Sequence, residues 1–174
     1  DGGPDPLADG RQQFVAAYED VKTAPPGAVP ADSDVLRAYP LYPYLLAARL
    51  ERRIDDPAAA PSIRAFLDSQ LDQPVARSLR NRWLMALALG KRWEDYLSIY
   101  RPDIDDSVAA RCNAYAARVA LDRTDGLAVA VLAEWNVPKS LPPACDPAVE
   151  WLLARGQITP ELTERRARAA LAAG

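Results

Sequence analysis

Apolar side chains recur at spacings of three and four along this chain, the mark of amphipathic helices laid against a core. Phe14, Tyr18 and Val21 carry a first helix that begins near Asp9 and stops at the breaker Thr23-Ala24-Pro25-Pro26-Gly27; residues 23–33 read as a Pro/Gly loop. A short piece from Asp34 to Tyr39 leads into Tyr39-Pro40-Leu41-Tyr42-Pro43-Tyr44, where each proline turns its predecessor away from helix. Pro43 can open a segment reaching Ile54, with Leu46, Leu50 and Ile54 on its buried face. Ile63, Phe66 and Leu67 carry the next helix, and Gln73-Pro74 opens a longer one through Val75, Leu79, Trp83, Ala86 and Leu87, with Gly90 expected as its C-terminal cap. Trp93, Tyr96, Leu97 and Tyr100 repeat the pattern after a minimal turn, so these two helices are expected to form an antiparallel hairpin.

The second half continues in pairs. Asp105 or Asp106 is placed to cap a helix buried through Val108, Cys112, Tyr115 and Val119. Leu127, Val131 and Trp135 carry its partner, which Val137-Pro138 stops. Asp146-Pro147 reads as cap and first turn of a helix bearing Val149, Leu152 and Leu153, and Thr159-Pro160-Glu161 starts a last helix through Ala173. The turns near Gly90, Asp122 to Gly126 and Gly156 fall about one paired-helix repeat apart. The expected fold is therefore all-α, an array of helix hairpins after an irregular start.

Composition removes most function classes. A net charge of −3 and a pI near 5.0 oppose nucleic-acid binding, which needs a basic face. Histidine is absent, two cysteines cannot complete a zinc site, and none of Lys22, Lys91 and Lys139 adjoins a glycine-rich loop. No nucleophile–base pair can be assembled, so neither a cofactor nor a metal is expected. No apolar run is long enough for a transmembrane segment, and the opening Asp1-Gly2-Gly3-Pro4-Asp5-Pro6 lacks the pattern of a signal peptide and reads as a processed or trimmed end.

What remains is interaction chemistry. Arg49, Arg52 and Arg53, then Arg77, Arg80 and Arg82, then Arg165, Arg166 and Arg168 form three basic stripes whose plain reading is a solvated helical face. The aromatic residues in helical register are core, with Trp151 the exception because Val149, Leu152 and Leu153 already define a buried face beside it. Cys112 and Cys145 are either two buried thiols or one bond stapling consecutive layers, which would belong to an oxidising compartment.

Tyr39-Pro40-Leu41-Tyr42-Pro43-Tyr44-Leu45, Trp93-Glu94-Asp95-Tyr96-Leu97, Cys112-Asn113-Ala114-Tyr115-Ala116 and Pro143-Ala144-Cys145-Asp146 together resemble the N-terminal part of soluble lytic murein transglycosylases. The resemblance runs from about Phe14 onward in the same order. It implies that residues 1–174 are a single α-superhelical domain, tetratricopeptide-like, and a fragment of a longer U-shaped domain. It implies a periplasmic setting, peptidoglycan and the linker and catalytic domains of a parent enzyme as partners, and cleavage of the MurNAc–GlcNAc bond to 1,6-anhydro products. In that setting Cys112 and Cys145 are expected to form a disulfide worth about 3 kcal/mol.

The family's catalytic Glu is followed by Ser. Here Glu19, Glu51, Glu94, Glu134, Glu150, Glu161 and Glu164 precede Asp, Arg, Asp, Trp, Trp, Leu and Arg, and the family's Gly-Leu-Met-Gln element is missing. No catalytic residue can be carried over: the lysozyme-like domain is absent from this chain, and the chain is expected to be inactive alone. Its expected role is a scaffold shaping the ring that admits glycan strands, with Arg77, Arg80 and Trp151 as candidate glycan or peptide contacts. The alternative from another class is a stand-alone helical-repeat adaptor for a peptide or partner helix.

Overall fold

The computed structural model describes Gly3 and residues 5–174, which form ten α-helices and two 3₁₀ turns with no strand among the described residues. The all-α expectation holds. By its internal contacts the chain divides into two compact units, Asp1–Ala86 and Leu87–Gly174.

The first unit holds α1 (Ala8–Asp20), α2 (Asp34–Arg37), α3 (Tyr42–Glu51), a 3₁₀ turn (Pro57–Ala59), α4 (Ala60–Ser69) and most of α5 (Pro74–Leu89). Helix α1 packs on α2 and α3, and α3 on α4. The stripe of Phe14, Tyr18 and Val21 is only partly covered, and the one buried position of α1 is Gly10. A Cβ there would stand 3.0 Å from the Tyr39 ring, so glycine lets that ring lie directly on the helix backbone. Phe14 completes the contact, its ring centroid 5.3 Å from that of Tyr39.

Helix α3 departs from expectation. It ends at Glu51, Arg52 to Asp55 turn away, and the buried residues are Leu45 and Ala47. Leu46, Leu50 and Ile54 are half-buried, because Leu46 and Leu50 line a groove roofed by the Pro/Gly segment. The later helices follow their pattern closely. Ile63, Phe66 and Leu67 of α4 are buried, and so are Val75, Leu79, Trp83 and Leu87 of α5, with the Arg64 guanidinium 5.6 Å from the centre of the Trp83 ring.

The second unit holds α6 (Trp93–Ile99), α7 (Val108–Ala120), α8 (Leu127–Trp135), a 3₁₀ turn (Pro143–Cys145), α9 (Asp146–Ala154) and α10 (Pro160–Ala173). Its centre is α7, against which α6, α8, α9 and the 3₁₀ turn all pack. No residue of α7 before Ala120 is exposed. Burial is deepest at Cys112, Ala114, Ala116 and Ala117, whereas the expected Tyr115 and Val119 are half-buried; the small alanines let neighbouring helices approach closely. Tyr96, fully buried on α6, satisfies its hydroxyl by donating to the Ala110 carbonyl at 2.8 Å. Leu127 and Val131 of α8 meet Ala148 and Leu152 of α9, with Tyr115, Val119 and Trp151 at the edge of that cluster.

The caps correct three sequence assignments. Helix α7 is capped by Ser107, whose hydroxyl accepts from the Ala110 amide; Asp105 is buried and closes the preceding turn by accepting from the Arg101 amide at 2.8 Å. Asp146 lies inside α9, because the 3₁₀ turn at Pro143–Cys145 already supplies the entry. At the end of α5 the left-handed residue is Lys91, one position beyond Gly90. There the Arg92 amide donates to the Leu87 carbonyl and the Lys91 amide to the Ala88 carbonyl, the paired bonds of a Schellman motif. The same pair closes α7 at Asp122 and α9 at Gly156.

Candidate functional site

A concave groove of about 660 Å³ lies within the first unit, between the end of α1, the Pro/Gly segment, α3 and α4. Leu46, Leu50 and Phe66 make it apolar below, and Pro25, Pro26, Ala28, Val29 and Pro30 wall one side. Polar groups gather at its ends. Asp32, at the exit of the segment, is 7% exposed and takes both arms of the Arg49 guanidinium at 2.7 and 3.0 Å, while the Tyr42 hydroxyl donates to it at 2.6 Å. The Arg49 hydrogen bonds hold the Asp32 carboxyl below the usual carboxylate range against the opposing effect of burial, and burial followed by Asp32 pushes the Tyr42 phenol up. At the entrance of the segment Arg52 donates to the carbonyls of Val21 and Ala24, tying the frayed end of α1 to the turn after α3.

A second polar cluster lies in the other unit. Arg111 on α7 pairs with Glu134 on α8 at 2.5 Å and also donates to the Asp106 carbonyl. Burial raises both Tyr100 and Tyr115 nearby. Both clusters are closed ion pairs beside half-buried phenols, an arrangement that fixes geometry. Glu19, Glu51, Glu94 and Glu164 are likewise paired with Lys22, Arg82, Arg123 and Arg168, and Glu150 and Glu161 are exposed. Among the described residues no group of three or more metal-ligating side chains is assembled. No helix of the described residues is long and apolar enough to cross a membrane.

The residues singled out from sequence are scattered. Arg77 is exposed and Arg80 half-buried on α5 in the first unit. Trp151 in the second is half-buried against the Leu127–Leu152 cluster, with the Arg155 guanidinium 4.9 Å from its ring centre. Cys112 and Cys145, both 1% exposed, are joined by a disulfide with Cα atoms 4.7 Å apart, tying α7 to the 3₁₀ turn that starts α9. The groove around Asp32 was not found from sequence, although Arg49 and Arg52 stood in a noted stripe.

No protein-family model matches this sequence, and no curated protein matches it. Among solved structures, an inactive mutant of lytic transglycosylase Slt from Pseudomonas aeruginosa matches with a TM-score of 0.77 and 26% identity over 92% of this chain. The chain spans 26% of the length of that structure. By its fold, this chain is a lytic-transglycosylase-like helical domain.

Proposed function

We propose that the chain is a non-catalytic scaffold segment of a periplasmic lytic transglycosylase acting on peptidoglycan, helping to shape the ring through which glycan strands reach a catalytic domain elsewhere in the parent. The match to Slt over nearly the whole of this chain and about a quarter of the other carries the reading. The family's Glu-Ser pair is missing from this sequence, and Glu134, the most shielded glutamate at 13% exposure, is held by Arg111.

The test is made in the parent enzyme. Deleting this segment is expected to slow release of 1,6-anhydro products from intact sacculi while leaving cleavage of a short soluble glycan unchanged. Equal loss on both substrates, or no loss on either, would overturn the scaffold role. So would release of anhydro products by the 174-residue chain alone.

A further inference from the structure

The turn that joins α7 to α8 has no part in the scaffold role, and it brings an aspartate, a glycine and an arginine into one arrangement. Asp125 and Gly126 are both exposed, and Gly126 leads into α8 in the left-handed conformation at φ 67°. Among the described residues the Gly126 amide donates no hydrogen bond and the Asp125 carboxylate accepts none. Beyond its chain neighbours nothing lies within 4 Å of where a Cβ of Gly126 would stand, so a ring can form there without displacing another side chain. Arg118, in the last turn of α7, reaches over the turn. Its Nε donates to the Arg123 carbonyl at 3.0 Å and its Nη2 to the Asp125 carbonyl at 2.5 Å.

The second of these bonds falls on the peptide unit that can react. The Gly126 nitrogen is a nucleophile only once its peptide unit gives up a proton, and the resulting charge is shared with the Asp125 carbonyl oxygen. A guanidinium held on that oxygen stabilises the charge as a fixed donor does at an oxyanion. We propose that Asp125 is a self-modification site, converted to isoaspartate with Arg118 as the activating group. The Gly126 nitrogen attacks Cγ of the protonated Asp125 side chain; the amide proton and the side-chain hydroxyl leave as water, and a succinimide closes. Water then adds to the former main-chain carbonyl carbon and breaks its bond to the Gly126 nitrogen. The chain now runs through Cγ, the α-carboxyl is free, and no oxidant or reductant is consumed. The backbone is one carbon longer just ahead of Leu127, a fully buried residue of α8. Asp9-Gly10 has the same sequence but lies within the first turn of α1, with Gly10 buried against Tyr39, and lacks this freedom.

The test incubates the 174-residue chain at neutral pH in H₂¹⁸O over several weeks and maps the tryptic peptide 124–139. Isoaspartate separates there from aspartate by chromatographic retention, and each opening of the succinimide leaves one ¹⁸O. Isoaspartate is expected to accumulate at Asp125 and not at Asp9. Arg118→Gln is expected to slow conversion roughly tenfold, the effect of one hydrogen bond from a charged donor. Arg118→Lys, which keeps a cation near the carbonyl, should retain part of the rate, and circular dichroism checks that both variants fold. Arg118 also braces the turn through Arg123, so a faster Arg118→Gln variant would make it a brake and overturn the assignment. A reading that needs no variant compares the native chain with the same chain unfolded in urea, which has lost the Arg118 bond and is expected to convert more slowly. Faster conversion in urea, or no isoaspartate at Asp125 in the native chain, would equally overturn it.

Discussion

At the scale of single residues, the most constrained group is Asp32. A carboxylate 7% exposed would be costly were it not held by two guanidinium bonds and one phenol, and Arg49 opposite it is itself only 21% exposed. Asp32→Asn leaves Arg49 half-buried without its counter-charge and is expected to cost about 2 kcal/mol, below the 3–5 of a fully buried pair. The pH dependence follows from the depressed folded value of Asp32. Its contribution is fully present above the unfolded value of about 3.9 and disappears as pH falls through the lower folded one. Urea denaturation of both proteins at neutral pH and in steps below about pH 4 should show their difference shrinking; a constant difference would deny the ion pair this role. Tyr42, Tyr100 and Tyr115 shift the other way, chiefly through burial. Their contribution is present below the free value of about 10 and lost as pH rises through the folded ones. Absorbance at 295 nm should therefore show these three phenols titrating late, as alkaline unfolding begins. None of this was legible in the sequence. Arg49 reads as part of a solvated stripe because its partner lies 17 residues away across a loop with no periodicity.

At the scale of elements, the helix period is plain in the sequence and the detail of its turns is not. Three helices end in the same paired bonds, at Lys91, Asp122 and Gly156, about one helix-pair repeat apart. Breaker residues near each turn revealed that period. Which residue adopts the left-handed conformation depends on where the last core side chain falls, and Leu87, buried at the third position from the end of α5, sets the cap at Lys91 instead of Gly90. A lysine at φ 53° bears the strain that glycine escapes. Lys91→Gly is expected to raise stability by about 0.5–1 kcal/mol, Asp122→Gly by less because aspartate tolerates this region better, and Gly156→Ala to lower it by about 1 kcal/mol. Thermal melts of the three variants would check the order; a loss from Lys91→Gly would contradict it. Helix α10 is held by polar contacts. It has no buried residue, and Arg166 holds it by donating to the Trp135 and Lys139 carbonyls with its guanidinium 4.9 Å from the Trp135 ring centre.

At the scale of the whole chain, fold and groove differ in legibility for one physical reason. Helices that bury a stripe must repeat apolar residues every three or four positions, so the all-α architecture survives at 26% identity to a solved relative. A groove walled by residues 23–33 obeys no such repeat. The disulfide lies between these cases, because two cysteines are visible in any sequence but their partnership depends on α7 reaching the turn before α9. The bond closes 33 residues that include α8 and fastens the helix on which α6, α8 and α9 pack. Restricting the unfolded chain over such a loop is worth about 3 kcal/mol, a large fraction of a domain's stability. Reduction is therefore expected to release two alkylatable thiols that are silent beforehand, and to lower hydrogen-exchange protection across α7, α8 and α9. Those amides report it best because the Leu127, Val131, Ala148 and Leu152 cluster is built from the two helices flanking the bond. If protection there is unchanged after complete reduction, packing alone holds the unit and the cross-link contributes nothing to its stability.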